Sequence, residues 1–393
     1  MTTYLLKPGE LSLKGGNREG FEHILRRNIK AMLGRSTRIE LTRGRFFVRC
    51  PEDSETKTEE CLRRLFGIAG WAKVRACPKT TGDIFRLCIE EAGRFFDRGL
   101  RTFKVNARRT DKSFPLNSAQ ICSNAGEAIL RALPGFKVDV HEPELVVTVE
   151  IREKAYVYGN GEKGLQGLPV GTAGKGLCLL SGGIDSPVAL YMMCSRGMHM
   201  EAVYFHAWPY TSDEARQKVV RLAEITGSYG LGVRLHIIPV TTIQMRIKER
   251  APAEWTTVLL RMAMMEAAEN LAVMRRAKCL ITGESLSQVA SQTIENINCT
   301  QSRLKMPVLR PLIGMDKEDI IRLAKKIGTY ETSILPYQDC CVLFSPPHPI
   351  LRGDPRHAQR LYEELELQPL IEDALKEMTV EKCAFPDDQD SLL

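Results

Sequence analysis

The residues best suited to chemistry form one short run, Ser181-Gly182-Gly183-Ile184-Asp185-Ser186. The apolar stretch Leu177 to Leu180 before it has strand character, and a helix is expected to start near Ser186. Two glycines let the backbone turn sharply and bring its N–H groups close to a polyanion. The helix N-terminus adds unpaired donors and a partial positive charge. Strand, glycine turn and helix together make an anion cradle, and Asp185 within it suits a metal partner or a polar anchor. The G-x-x-x-x-G-K-[ST] loop is absent, so this is a different phosphate-binding device.

A second chemical feature is the dyad Cys340-Cys341, which follows Leu335-Pro336-Tyr337-Gln338-Asp339 and precedes Ser345-Pro346-Pro347. Flanking prolines predict a loop, in which the thiols would be accessible. Asp339 would raise a neighbouring thiol pKa unless a cation lies close. The dyad is either a sulfur carrier or a pair of incidental thiols.

The elements around these residues change character along the chain. From Leu177 onward, β-like runs at 177–180, 201–206, 234–240 and 279–282 alternate with helical stretches at 186–197, 213–227, 254–274 and 317–327. That series predicts a doubly wound, mostly parallel sheet covered on both faces, with ligands at the carboxyl ends of its strands. Before it, residues 1–50 read as strand, helix and a hairpin turning near Gly44. Residues 58–163 read as a mixed α/β unit, with helices at 61–66 and 84–96 and strands at 102–107, 145–151 and 155–158. A stretch with seven glycines between Gly159 and Gly176 reads as a connection. The expected division is 1–57, 58–163, a linker at 164–176, and 177–393.

Charge follows this division. Residues 1–176 carry 31 Lys and Arg against 21 Asp and Glu, whereas the remainder carries 24 against 27. A basic first half beside a near-neutral second half points to a polyanionic partner for the first. The densest basic segment is Lys104-Val105-Asn106-Ala107-Arg108-Arg109-Thr110-Asp111-Lys112, where Arg forks and Lys point charges suit a phosphate backbone. Phe114 beside it either stacks on a base or packs in a core. No apolar run is long enough to span a membrane, and no export signal is read at the N-terminus, so a cytoplasmic enzyme is expected. The twelve cysteines include no C-x-x-C pair, which argues against zinc and iron–sulfur sites; no residue is assigned as a metal ligand.

Several motifs carry a resemblance. Ser181-Gly182-Gly183-Ile184-Asp185-Ser186 resembles the pyrophosphate loop of ATP pyrophosphatases. The segment Phe103 to Pro115, then Gly126-Glu127 and Val149 to Tyr156, resembles a THUMP domain, an RNA-binding module of tRNA-modifying enzymes. Gly9-Glu10, followed by Lys14-Gly15-Gly16-Asn17-Arg18 and Phe21-Glu22, is similar to the ferredoxin-like domain that precedes it in one family. In this order the motifs identify a member of the tRNA 4-thiouridine synthetase (ThiI, tRNA sulfurtransferase) family.

The resemblance implies an α/β multidomain fold: an N-terminal ferredoxin-like domain, a THUMP domain and a PP-loop ATP pyrophosphatase domain. It implies that ATP, with Mg2+, activates C4 of uridine 8 in tRNA, and that a persulfide on Cys340 replaces the oxygen by sulfur to give 4-thiouridine. A pyridoxal-phosphate cysteine desulfurase would donate the sulfur, and a homodimer is implied. Cys340, Asp185, Lys317 and, secondarily, Cys341 are the implied catalytic residues. The implied ATP contacts are Leu179, Leu180, Ser181, Gly182, Gly183, Asp185, Ser186, Tyr204, Phe205, Arg261, Gly283 and Gln292. Arg261 lies in an apolar helical stretch, where its charge needs a partner such as a phosphate. RNA contacts are expected from Lys14, Arg18, Lys104, Arg108, Arg109 and Lys112.

One departure from the family bears on sulfur delivery. Many members continue into a rhodanese domain, for which this sequence leaves no room after Cys383. Cys341, Cys299, Cys383 or an external reductant are the candidate resolvers, and a role in thiamine thiazole synthesis loses weight. The alternatives are another PP-loop tRNA base-thiolating enzyme, or a tRNA-binding module with a degenerate nucleotide site. A THUMP-bearing methyltransferase would need a glycine-rich methyl-donor loop, which is not found.

Overall fold

The computed structural model describes residues 1–13, 16–34, 37–42, 44–337 and 346–384. The chain forms two units. The first comprises residues 1–18 and 33–166, and the second residues 19–32 and 167–393.

The first unit contains β1 (Thr2–Pro8), β2 (Arg38–Thr42) and β3 (Arg45–Cys50); α1 (Arg18–Leu33), which follows β1 in the chain, has its residues 19–32 in the second unit. Then follow α2 (Glu55–Arg63), β4 (Ile68–Cys77), α3 (Thr81–Phe96), β5 (Thr102–Arg109), α4 (Ser118–Ala132), β6 (Lys137–Val138), β7 (Leu145–Ile151), β8 (Ala155–Tyr158) and β9 (Glu162–Lys163). They build one sheet in the order β2-β3-β1-β4-β8-β7-β5-β6, with β9 also paired to β4. β4 makes the sheet continuous: its Val74 to Ile68 portion pairs with β1, and its last three residues, Arg75 to Cys77, pair with β8. Its sequence, Ile68-Ala69-Gly70-Trp71-Ala72, has small residues at alternate positions, which hide the period of a strand.

Local signals fix the helices that cover this sheet. Thr80 caps α3 through the Asp83 N–H, and Asn117 with Gln120 forms a reciprocal capping box at the start of α4. Phe103, Val147 and Val149 from the sheet bury against Ile84, Ile121 and Ile129 from these helices. Alternation along β5 then leaves Asn106 and Arg108 exposed while Phe103 is buried.

The second unit is a six-stranded sheet. Its elements are β10 (Lys175–Leu179), α5 (Asp185–Ser195), β11 (His199–His206), α6 (Asp213–Gly230), β12 (Val233–Pro239), α7 (Thr241–Arg250), α8 (Thr256–Met274), β13 (Leu280–Ile281), α9 (Ile294–Gln301) and β14 (Val308–Leu309). α10 (Lys317–Ile327), α11 (Tyr330–Ser333), α12 (Pro355–Glu364), α13 (Gln368–Lys376) and β15 (Thr379–Cys383) complete it. The order is β14-β13-β10-β11-β12-β15. All pairings are parallel except that of β15, an antiparallel edge strand absent from the sequence reading. The chain winds from β10 outward through β11 and β12, then returns to lay β13 on the other side of β10. This reversal opens a crevice beyond the carboxyl end of β10, where ligands of such sheets bind. α8 is apolar on nearly all sides and buried, with Leu259, Met262, Ala263 and Leu271 in the main core.

Candidate active site

The crevice holds a cavity of about 430 Å³. Its floor is the loop between β10 and α5. Within the loop the Ser181 N–H donates to Ser186 Oγ at 2.9 Å, and the two hydroxyls lie 3.0 Å apart. This internal clasp shapes the glycine turn. α5 begins after Ile184, whose side chain cannot cap it, so the first-turn N–H groups are not taken up by an N-cap side chain. Uncapped donors at a helix start favour an anion.

Eleven of the expected nucleotide contacts line this one cavity: Leu179, Leu180, Ser181, Gly183, Asp185, Ser186, Tyr204, Phe205, Arg261, Gly283 and Gln292. Gly182 belongs to the same loop but is not among the lining residues. Tyr204 and Phe205 are almost wholly buried and form wall, so Phe205 serves the core as well. Gly283 is required by close approach. A Cβ there would sit 2.6 Å from the Ser186 nitrogen and 2.8 Å from the Asp185 carbonyl carbon, so only glycine lets the end of β13 abut the start of α5.

Charges are arranged in two groups. Asp185 accepts from Lys317 Nζ at 2.6 Å and from Gln288 Nε2 at 3.0 Å. In the second group Glu284, 3% exposed, accepts from Arg261, from Arg310 Nε at 2.7 Å and from Thr282 Oγ1 at 2.8 Å. Burial works against the charge of Glu284, but the two guanidinium groups outweigh it and hold the carboxyl below its ordinary value. The two groups together hold two carboxylates and three cations, and of these Asp185, Glu284 and Arg261 line the cavity itself. Arg261 has the ion-pair partner its apolar helix requires, and that partner is Glu284; its Nε remains buried without a partner. Glu284, Arg310 and Gln288 were not singled out from the sequence. Glu284 directly follows Gly283 at a strand end, which was a usable signal; Arg310 is brought in only by the fold.

Among the described residues, no group of three or more His, Cys, Asp or Glu is placed to hold a metal. Asp185 is the single carboxylate at the loop, which suits an ion that arrives with a nucleotide better than one held by protein ligands alone. Cys340 and Cys341 lie outside the described residues. Cys299 and Cys383 are both buried, and burial pushes their thiols up to about 11 and about 12.

In the first unit, Arg108 and Lys112 are exposed and Lys104 is half-buried. Arg109 turns inward instead: its Nη1 donates to the Phe114 and Leu116 carbonyls at 2.7 and 3.2 Å and holds the segment between them. Phe114 is a core residue rather than a stacking surface. Arg18 would touch a Cβ placed on Gly44, at 3.1 Å, and Lys14 lies outside the described residues.

Sequence comparison agrees with this arrangement. The family profile described as thiamine biosynthesis protein (ThiI) matches residues 171–367, half of the chain. The ThiI ferredoxin-like domain matches residues 3–72 and the THUMP domain residues 78–159. The chain belongs to the ThiI family. Among relatives, a protein of Treponema pallidum (strain Nichols) described as a probable tRNA sulfurtransferase is 49% identical over 379 residues, covering 95% of this chain and 94% of its own length. A protein of Caldanaerobacter subterraneus with the same description is 45% identical over 376 residues, covering 95% and 98%. Among solved structures, a 4-thiouridine synthetase in complex with RNA and bound ATP superposes with a TM-score of 0.91 at 36% identity, covering 98% of this chain and all of that one. The ThiI fold thus comprises the ferredoxin-like, THUMP and PP-loop domains read from the sequence.

Proposed function

We propose that this ThiI-family chain is an ATP-dependent tRNA sulfurtransferase that converts uridine 8 to 4-thiouridine. The observation that carries this reading is the cavity at the carboxyl end of β10, floored by the Ser181–Ser186 loop and lined by eleven of the residues expected to meet a nucleotide. Uncapped α5 N–H groups and Lys317 take the phosphates, and Tyr204, Phe205 and Leu179 form the apolar wall for the base. The uridine O4 attacks the α-phosphorus and pyrophosphate leaves. The terminal sulfur of a persulfide on Cys340 then attacks C4, and AMP departs with the former oxygen. A second thiol attacks the Cys340 sulfur, which frees the thiolated base and leaves a disulfide for external thiols to reduce. Asp185, the carboxylate of the loop, would help hold a Mg2+ ion, which would supply charge neutralisation of the phosphates there.

The high pKa and burial of Cys299 and Cys383 leave Cys341 or an external thiol as the resolver. Lys104, Arg108 and Lys112 contact the tRNA backbone, Arg18 and Lys14 extend that contact, and Arg109 acts by holding the loop from which Lys112 projects. A cysteine desulfurase supplies the persulfide, the enzyme works as a homodimer, and its place is the cytoplasm; among the described residues no helix is long and apolar enough to cross a membrane.

The test is 4-thiouridine formation on unmodified tRNA, read by its near-ultraviolet absorbance, with ATP, magnesium and a desulfurase source. Wild type should form product, and Cys340→Ala and Asp185→Ala should not. Product from Cys340→Ala would move the carrier to another thiol. Bound tRNA with no product from wild type would sink the enzymatic reading.

A further inference from the structure

Glu284 has no task in the reaction above, yet it is among the most completely engaged side chains of the cavity wall. Its Oε1 accepts from Arg261 Nη2, and its Oε2 accepts from Arg310 Nε and Thr282 Oγ1. With both oxygens occupied and the residue 3% exposed, it is poorly placed to serve as a base or to take an ion. Arg310 is anchored in turn by Gln301 Oε1 at 3.0 Å. Two guanidinium nitrogens, Arg261 Nε and Arg310 Nη2, remain buried without a partner.

The cluster is also mechanically tied to the phosphate loop. Gly283, the residue before Glu284, packs against the Asp185–Ser186 backbone with no room for a Cβ. A shift of the loop therefore displaces the Glu284 backbone, and with it the carboxylate that grips Arg261.

We propose that Glu284 is a positioning residue that sets the Arg261 guanidinium in the nucleotide cavity and tempers its charge, with Arg310 supplying the balance. Arg261 alone with Glu284 would be a neutral pair with little pull on a polyphosphate. Arg310 restores one net positive charge while Glu284 keeps the geometry fixed. This role rests on the reading of the cavity as the ATP site.

The experiment measures ATP binding by calorimetry and single-turnover pyrophosphate release with unmodified tRNA, in the full chain and in three variants. Glu284→Gln removes the restraint and raises the local charge. ATP should bind as well as to wild type or tighter, while pyrophosphate release slows by about tenfold or more. Arg310→Gln leaves the neutral pair with its geometry held. ATP affinity should fall by about tenfold, with release from the bound complex changed less than about threefold. Glu284→Asp keeps the charge but shortens the reach, so its release slows at unchanged affinity; it also serves if the Gln variant does not fold. A merely structural role would shift melting temperature and move affinity and rate together. Such a joint movement, or release from Glu284→Gln and Glu284→Asp within about threefold of wild type, would overturn the proposal. Wild type that binds no ATP would overturn the site reading and this role with it. Wild type that binds ATP, with all variants behaving alike, would overturn the role alone.

Discussion

Lys317 Nζ lies 2.6 Å from Asp185 Oδ1, although 132 residues separate them. Each residue opens a helix, Asp185 that of α5 and Lys317 that of α10, so the pair fixes two helix starts at the phosphate loop. Lys317 is 40% exposed and Asp185 19%, so water screens the pair and its worth to stability is at most about 1 kcal/mol. Asp185→Asn and Lys317→Met should therefore melt close to wild type while adenylation falls by about a hundredfold. A melting loss that accounts for the lost activity would assign the pair to folding instead.

Gly283→Ala should be the most damaging small substitution in the cavity. The added methyl meets backbone rather than a movable side chain, so the loop must shift. We expect a loss of about 1–3 kcal/mol in denaturant unfolding, together with loss of ATP binding. Retained ATP affinity would show that β13 and α5 can part without consequence.

Glu201 is fully buried at the opposite, amino-terminal edge of the parallel sheet, where Lys175, Arg275 and His236 reach it at 3.1, 2.9 and 2.8 Å. Burial opposes its charge, but hydrogen bonds from His236, Arg275 and Lys175 outweigh this and hold the carboxyl well below the usual carboxylate range. Its stabilising contribution is complete above the ordinary carboxyl pKa and fades as pH falls below it. Glu201→Gln should cost about 1–3 kcal/mol at pH 7, by urea unfolding, because it removes a fully buried counter-ion from the half-buried Lys175 and Arg275. The gap to wild type should narrow in acid; a gap independent of pH would contradict the assignment.

His199 acts in the same direction, as a group held neutral rather than charged. Burial, then the charge of Lys175, push its imidazole down from 6.5 to about 4. The folded state binds its proton less well than the unfolded state, so stability is full above pH 6.5 and declines as pH falls toward 4. His199→Gln should flatten that decline in urea midpoints measured across this window. An unchanged slope would place the acid sensitivity elsewhere.

Cys299→Ser and Cys383→Ser should leave 4-thiouridine formation within about twofold of wild type, because neither thiol is exposed or readily ionised. Loss of turnover in either, with folding intact by near-ultraviolet circular dichroism, would return that thiol to the resolving role.

Much of this site was legible because its parts are local. Ser181 to Ser186 follow an apolar strand, and β11 and β12 are apolar runs that the alternating pattern places beside it. Lys317 directly follows Asp316, which caps α10 from the Glu318 N–H, so its helix start was readable as well. What the residues did not announce is set by tertiary contact. Arg310 follows a two-residue strand and gains meaning only when β14 pairs with β13. β4 escaped notice because Gly70 and Ala72 dilute its pattern, and β15 because Thr379-Val380-Glu381-Lys382 is a polar edge strand. Arg109 reads as an RNA contact by type, yet its Nη1 braces the Phe114 carbonyl, and of the two readings open for Phe114 the structure takes the core.

Helix α1 has a consequence for how this protein can be taken apart. Its residues 19–32 belong to the second unit, although the chain on either side of them belongs to the first. Leu25 and Ile29 are buried, and Asn28 Nδ2 donates to the Val170 carbonyl at 2.9 Å. A fragment beginning at residue 167 would be an amputation rather than a domain, missing a helix encoded more than a hundred positions upstream. A single breakpoint near residue 167 would part α1 from the unit it packs in; a chimera that preserves this packing cuts the gene on both sides of α1 as well.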